Sequence, residues 1–419
     1  MKVLIIGNGA REHAIAWKLR MSPLVEELYI APGNYGTEKI GKNVNIDVED
    51  LEGLKAFAIS QRIDLTVVGP EMPLVLGIVD LFRAAGLKII GPDKRGAQLE
   101  GSKDYAKEFM VRHNIPTAAY ATYIDYDSSV SGLEAFKYPM VIKADGLAAG
   151  KGVIIALTKE EALDALKLIF IDQKFGSSGN KVVLEEFLEG VEVSVLCLVD
   201  GETILPLETA QDYKRAFNDD EGPNTGGMGT YSPSRYLVGD LYQEALDLVV
   251  QPTLKGIQAD GYDFRGIVFI GIMMTSDGPK VLEYNCRFGD PETQSILARL
   301  ESDLMEVFVK LSRKELSKVS LKWSSQVAVS VVLASGGYPD DYASGVEVKS
   351  PERFSGLTDA GILFAAGLKT HTNGPVTAGG RVMTATALGE TFEVARAKAY
   401  NLAKLVSFDG MFYRTDIGK

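Results

Sequence analysis

Residues 281–294 read Val-Leu-Glu-Tyr-Asn-Cys-Arg-Phe-Gly-Asp-Pro-Glu-Thr-Gln, an apolar strand running into a loop dense in polar groups. Residues two apart on a strand share a face, so Glu283 and Asn285 offer a carboxylate and an amide oxygen to one cavity. Hard oxygen ligands of this kind suit Mg²⁺, which takes one or two protein ligands and completes its shell with phosphates and water. Arg287 follows as a two-pronged donor for carboxylate or phosphate. Asp290-Pro291 then ends the strand. An ordinary exposed strand end carries similar polar strings, so the reading depends on what the rest of the chain supplies.

The chain has 419 residues, 46% of them apolar, enough for several domains with their own cores. Its formal charge of −12 argues against sequence-independent nucleic-acid binding. The opening MKVLIIGNGAREHA has only a short apolar run before glycine and charge, and reads as a first strand rather than a signal peptide. No run of about 18 apolar residues suggests a membrane span. Cys197 and Cys286, both in apolar strand-like sequence, form neither a disulfide framework nor a metal motif, which points to the reducing cytoplasm.

Residues 1–122 alternate short apolar runs with helical stretches, the pattern of an open parallel sheet covered by helices. The first turn, Gly7-Asn8-Gly9-Ala10-Arg11-Glu12-His13, fails as a dinucleotide fingerprint, since Glu12 stands where a third glycine belongs. A glycine turn opening a helix remains, which either favours a phosphate or merely permits a tight turn. The loops Asn34-Tyr35-Gly36-Thr37 and Gly69-Pro70-Glu71 follow later strands and gather at the ligand-binding end of such a sheet.

Ser102-Lys103-Asp104 opens a capped helix. Residues 123–190 then form a small unit in which a strand carries Lys143 into Asp145-Gly146-Leu147-Ala148-Ala149-Gly150-Lys151-Gly152 and returns from Val153. Such a loop lets the backbone approach polyphosphate and move as a flap. It is not a P-loop, because three residues separate Gly146 from Gly150 and Gly152 follows Lys151. Val182–Leu188, a polar turn and Val191–Leu198 resemble a hinge, with Glu192 facing solvent or a nucleotide ribose.

Residues 191–324 supply a central unit with strands at 266–274 and 280–285 and helices at 240–260 and 292–311. Its segment Ala210–Pro233 is long and without evident secondary structure, but its spaced aromatics imply order. A last α+β unit, 325–419, has strands expected at 326–334, 382–388 and 411–414 and a helix at 391–406. The three histidines, His13, His113 and His371, are too scattered for a metal cluster.

A mobile lid with lysines, a hinge strand and a metal strand together describe ATP held between two sheets. Phosphoryl transfer asks mainly for positioning and charge neutralisation. No nucleophile–base pair stands out, so no covalent enzyme intermediate is needed. If the acceptor is a carboxylate, the product is an acyl phosphate open to attack by an amine.

The motif at Asn285 and Arg287 to Glu292 resembles the metal strand of the ATP-grasp ligases, and within them the phosphoribosylamine–glycine ligase family. The likeness extends over Gly7–His13, Pro32–Thr37, Gly69–Pro73, Lys143–Gly152, Gln211–Pro233 and Glu283–Glu292, with Pro223–Gly229 its most specific part. The resemblance implies an α/β protein with an N-terminal parallel-sheet domain, an ATP-grasp fold and a C-terminal α+β domain. It implies ligation of glycine to 5-phosphoribosylamine through glycyl phosphate, with ATP and Mg²⁺ or Mn²⁺, by a monomer without nucleic-acid or membrane partners. Carried onto matching positions, Lys103, Lys143, Gly150, Gly152, Glu185 and Glu192 would bind ATP, and Glu283 and Asn285 the metal. Gly9 and Asn34 would meet the sugar phosphate and Glu71 the ribose. Asp212, Arg287 and Gly289 would meet the reacting groups, Asp212 and Arg287 in catalytic roles.

Some positions depart from the family pattern. Gly271 stands where many ATP-grasp enzymes carry an acidic ligand, Tyr213 where His is expected, and Phe364–Leu368 replaces Phe-His-Ala-Gly-Thr. The rival readings are an ATP-grasp carboxylase acting on bicarbonate, against which residues 211–233 speak, and a nucleotide-binding protein without turnover.

Overall fold

The computed structural model describes residues 1–148 and 152–419. The N-terminal segment runs β1 (Lys2–Gly7), α1 (Ala10–Arg20), β2 (Glu27–Pro32), β3 (Lys42–Asn43), α2 (Leu51–Gln61), β4 (Leu65–Val68), α3 (Glu71–Leu76), α4 (Ile78–Ala84) and β5 (Ile89–Pro92). Strand β1 is parallel to β2 and β4, β2 to β3, and β4 to β5. Val3, Leu4, Ile5 and Ile6 are all fully buried, because helices cover both faces of a parallel sheet.

After α5 (Gln98–Gly101) and α6 (Lys103–Arg112) comes a separate antiparallel sheet. It contains β6 (Tyr120–Tyr123), β7 (Met140–Ala144), β8 (Val153–Ala156) and β9 (Val182–Glu186), ordered β6-β9-β7-β8, with helices α7 (Tyr126–Gly132) and α8 (Lys159–Phe170). Its own core includes Leu133, Met140, Ile142, Leu166 and Leu184. A self-contained core lets this sheet behave as one body.

The central segment brings β10 (Val191–Val199), β11 (Ile204–Pro206), β12 (Gln211–Asp212), β13 (Arg215–Phe217), β14 (Glu221–Asn224), β15 (Gly229–Ser232), α9 (Gly239–Ala245), α10 (Gln251–Ala259), β16 (Phe264–Thr275), β17 (Gly278–Asn285), α11 (Glu292–Arg299) and α12 (Leu304–Ser312). Strand β16 joins the parts. Phe264 and Arg265 pair with Pro92 and Gly91 of β5, while the strand also pairs antiparallel with β10 and β17. Gly266 permits the junction, since a Cβ there would lie 2.9 Å from Gly91 Cα. The parallel and antiparallel halves therefore form one sheet, of nine strands among the described residues.

The C-terminal segment holds β18 (Val327–Ala334), β19 (Ile362–Ala365), β20 (Leu368–His371), β21 (Gly374–Thr377), β22 (Arg381–Gly389) and α13 (Phe392–Ala403). Its main sheet runs β12-β15-β18-β22-β19. Two of those strands come from Ala210–Pro233, so that segment is not structureless. Gly229–Ser232 pairs with Ala328–Val331, and Tyr231 is buried in the C-terminal core. Strand β15 finds its partner β18 about a hundred residues away and β12 pairs on β15, which is why the local sequence did not disclose these strands.

Other differences are also local. The helix expected at 292–311 is two helices, because Leu300 turns extended and Asp303 caps a new start at the Met305 and Glu306 amides. The one at 240–260 contains a π segment at Leu246–Val250 just before Pro252, whose ring nitrogen has no hydrogen to donate. Residues 411–414 make a single bridge, Ala334 to Phe412, rather than a strand.

Candidate active site

The lid sheet faces β17 across a cleft, and lysines span it. Lys143 on β7 lies 2.8 Å from Glu185 Oε1 on β9, and its Nζ donates to the Leu282 carbonyl of β17 at 3.3 Å. Lys107 on α6 takes the other oxygen of Glu185 at 2.9 Å and donates to Thr117 Oγ1 at 2.8 Å. Burial pushes the Glu185 carboxyl up, but Lys143 and Lys107 outweigh it and hold the group below its ordinary value. Lys103, at the start of α6, donates to the Gly146 carbonyl of the lid loop at 3.0 Å. Burial lowers the Lys103 pKa. Gly152 closes the base of that loop, where a Cβ would meet Ala148 Cβ at 2.7 Å. Gly150 lies outside the described residues.

Glu283 and Asn285 stand on β17 opposite Gly271 and Phe269 of β16. Burial raises the Glu283 carboxyl, yet Lys214, Lys143, Lys103 and Arg287 together hold it below the usual carboxylate range. Among the described residues the Asn285 side chain makes no hydrogen bond, and no group of three or more His, Cys, Asp or Glu is arranged to hold a metal. The chain thus offers an ionised carboxylate and an open amide oxygen, a partial hard-oxygen shell. That donor set fits Mg²⁺ or Mn²⁺ arriving with nucleotide phosphates, which supply the remaining ligands.

Glu192 is partly exposed. It contacts Lys214, whose Nζ is also 3.7 Å from Glu283 Oε1. The lysine sits among acids, since Asp212 and Glu292 complete the cluster. Burial and the charges of Glu292, Glu192 and Glu283 raise the Asp212 pKa well above the usual value, against the pull of Lys214. Glu292 is buried at the start of α11 and accepts from Ser194 Oγ at 3.3 Å. Gly289 lets the chain pass close to it, since a Cβ there would meet Glu292 Oε2 at 2.4 Å.

On the N-terminal side, Arg287 lies 2.8 Å from Glu100 and 3.4 Å from Glu71. Burial pushes the Glu100 carboxyl up to about 7 despite Arg287, and Glu100 accepts the Cys286 amide at 2.7 Å. The Gly9 amide donates to Glu12 Oε2 at 2.6 Å, so the acid that breaks the glycine fingerprint folds back to cap its own turn. Asn34 is engaged on every side. Its amide donates to the Asn8 and Ala365 carbonyls, both at 2.8 Å, and its oxygen accepts from the Gly36 and Thr37 amides. The polar groups of Gly9 and Asn34 are therefore already paired.

Arg381, passed over in the sequence, and His13, one of the three scattered histidines, complete the picture. Arg381, at the start of β22, donates from Nη1 to the Gly226 carbonyl at 2.6 Å and the Asp290 carbonyl at 2.7 Å. His13, fully buried, accepts the Ala365 amide at Nδ1 and donates from Nε2 to the Phe354 carbonyl, both at 2.9 Å. Nothing in the local sequence marks Lys214, Glu100 or Arg381, whose partners come from distant segments.

A lid sheet with cationic side chains over a strand end bearing a carboxylate and an amide oxygen defines an ATP-grasp enzyme. Models of phosphoribosylglycinamide synthetase match most of the chain: the N domain at residues 1–100, the ATP-grasp (A) domain at 101–293 and the C domain at 328–419. The chain belongs to the phosphoribosylglycinamide synthetase family. The phosphoribosylamine–glycine ligase of Vibrio cholerae is 50% identical over 425 aligned positions, covering 100% of this chain and 98% of that protein. The crystal structure of the phosphoribosylamine–glycine ligase of Thermotoga maritima superposes with a TM-score of 0.87 at 36% identity, over 99% of this chain and 100% of that one. Biotin carboxylase from Campylobacter jejuni shares the fold alone, with a TM-score of 0.73 at 14% identity, over 98% of this chain and 92% of that one. Members of the family are ATP-dependent ligases working with Mg²⁺ or Mn²⁺, and so is this chain. No helix among the described residues is long and apolar enough to cross a membrane.

Proposed function

We propose that the chain joins glycine to 5-phosphoribosylamine, giving glycinamide ribonucleotide, ADP and phosphate through glycyl phosphate, as a step of purine biosynthesis. The observation that carries this reading is the lysine-spanned cleft between the lid sheet and Glu283–Asn285. In it, the Lys143–Glu185–Lys107 arrangement and Lys103 hold and neutralise the polyphosphate, with Gly150 and Gly152 in the covering loop. Glu192 receives the nucleotide once Lys214 turns toward incoming phosphate. Glu283 and Asn285 would hold the metal, which supplies charge neutralisation at the phosphates.

A glycine carboxylate oxygen forms a bond to the γ-phosphorus and ADP leaves. The amine nitrogen of 5-phosphoribosylamine then attacks the acyl carbon, the carbon–oxygen bond to phosphate breaks, and Asp212 takes the amine proton. Its raised pKa makes Asp212 a stronger base than an ordinary aspartate. Arg287 and Gly289 orient the glycine, Glu71 faces the ribose, and Gly9 and Asn34 frame the sugar-phosphate pocket. The working units are residues 1–122, 123–190, 191–324 and 325–419, in a cytoplasmic monomer.

The test is ADP release with Mg-ATP, glycine and freshly generated 5-phosphoribosylamine, each omitted in turn. Release should require all three and collapse in Asp212→Asn and Glu283→Ala. Release with bicarbonate in place of glycine would transfer the assignment to a carboxylase.

A further inference from the structure

We propose that Arg381, contributed by the C-terminal segment, is the anchor for the phosphate of the sugar-phosphate substrate. The inference rests on the ligase reading above and names a subsite within it. A phosphate dianion in a cleft needs a fixed cation with N–H donors to spare. The N-terminal turn does not provide one: the Gly9 amide is bonded to Glu12 and the Asn34 side chain is fully engaged.

The neighbouring cations are committed too. Arg11 pairs with Glu12 through Nε and donates from Nη1 to the Phe288 carbonyl at 3.1 Å. Arg287 pairs with Glu71 and Glu100. Lys39, beside the Asn34 loop, turns to Glu352 at 3.6 Å.

Arg381 is different. All its hydrogen bonds run through Nη1, to the carbonyls of Gly226, Gly227 and Asp290, and among the described residues Nε and Nη2 have no partner. Its acidic neighbour, Asp290, lies 3.6 Å from that same Nη1 and is shared with the Gln294 amide at 2.8 Å and the Arg11 amide at 3.4 Å. The side chain is 22% exposed, so it is held but reachable.

Place and fit agree with this. The guanidinium packs against Gly226, where a Cβ would stand 3.0 Å from Cζ. Asp290 Oδ2 would be 3.3 Å from a Cβ on Gly9, so Arg381 stands one side chain from the turn that opens α1. Three carbonyls from two chain segments thus hold Nη1 and leave Nε and Nη2 for a ligand. Recognition of phosphate by two parallel N–H donors uses such a pair.

Titration calorimetry with ribose 5-phosphate and with ribose, without ammonia, reads the subsite apart from turnover. Ribose 5-phosphate should bind the wild type and ribose far more weakly. In Arg381→Gln, ribose 5-phosphate affinity should fall, and the KM for 5-phosphoribosylamine rise, by about 30-fold, the loss of one buried charged contact. The KM values for glycine and ATP should stay within about twofold, a split that loss of loop support alone would not produce. Unchanged ribose 5-phosphate binding, or equal shifts in all three KM values, would overturn the proposal.

The wild type gives a second test that needs no variant. Phenylglyoxal modification of Arg381, mapped by peptide mass spectrometry, should be blocked by ribose 5-phosphate and not by ribose, and modification at the same rate in both would refute the subsite. A wild type that binds ribose 5-phosphate but ligates no glycine would sink the ligase reading while leaving this subsite standing.

Discussion

His13 ties helix α1 to the C-terminal sheet, and its protonation should loosen that tie. The ring is fully buried between the Phe354 carbonyl and the Ala365 amide, each 2.9 Å away. Since Nδ1 accepts the Ala365 N–H, the ring must be neutral, with its hydrogen on Nε2. Burial lowers its pKa to about 4. The ordinary value of about 6.5 applies when the chain opens. Between these values the open state binds a proton that the closed state excludes, so stability falls as pH drops through that window.

From pH 7.5 to 5 the change is roughly 1.5 pH units below the open-state pKa at about 1.4 kcal/mol each, or about 2 kcal/mol. The remaining loss lies between pH 5 and about 4. Hydrogen exchange of the Ala365 amide, corrected for its intrinsic pH dependence, reports this opening directly. Protection should decline by about 30-fold more in wild type than in a His13→Gln variant over that pH range. Equal declines in the two proteins would refute the tautomer and the burial argument together.

Two further perturbations test the cleft. Glu185→Ala leaves the ammonium groups of Lys143 and Lys107 buried without their carboxylate, and should cost about 3–5 kcal/mol in urea unfolding while weakening ATP binding by calorimetry. A loss below about 1 kcal/mol would mean that water replaces the carboxylate. Gly289→Ala drives a methyl into Glu292, 2.4 Å away, and should destabilise by about 1–3 kcal/mol in thermal melts, with lowered ligase activity. An unchanged melting temperature would show that Glu292 swings aside freely.

How far the sequence disclosed this depends on the distance between partners. Glu283 and Asn285 lie two apart on one strand, so a period of two sufficed to put them on one face. The lysine-bearing hairpin at β7–β8 and the Ser102 cap are equally local. Glu192 was ambiguous because its partner, Lys214, sits on another segment with no pattern to announce it. Strand β15 was missed for the same reason, since its neighbour β18 is about a hundred residues downstream, and β12 was missed with it because β15 is its partner. Arg381 opens an unremarkable apolar strand, and only the convergence of Gly226, Gly227 and Asp290 gives it meaning. Glu12 read as the residue that breaks a glycine fingerprint, and that negative conclusion concealed its positive role as the cap on the Gly9 amide.

The central claim is that glycine is activated as an acyl phosphate in the cleft above Glu283 and Asn285. Glycine labelled with ¹⁸O in its carboxylate, turned over with unlabelled ATP and 5-phosphoribosylamine, tests it most directly. The account predicts one ¹⁸O atom in each inorganic phosphate released, because the oxygen that attacks the γ-phosphorus leaves with it. Phosphate free of label, with product still formed, would contradict the account.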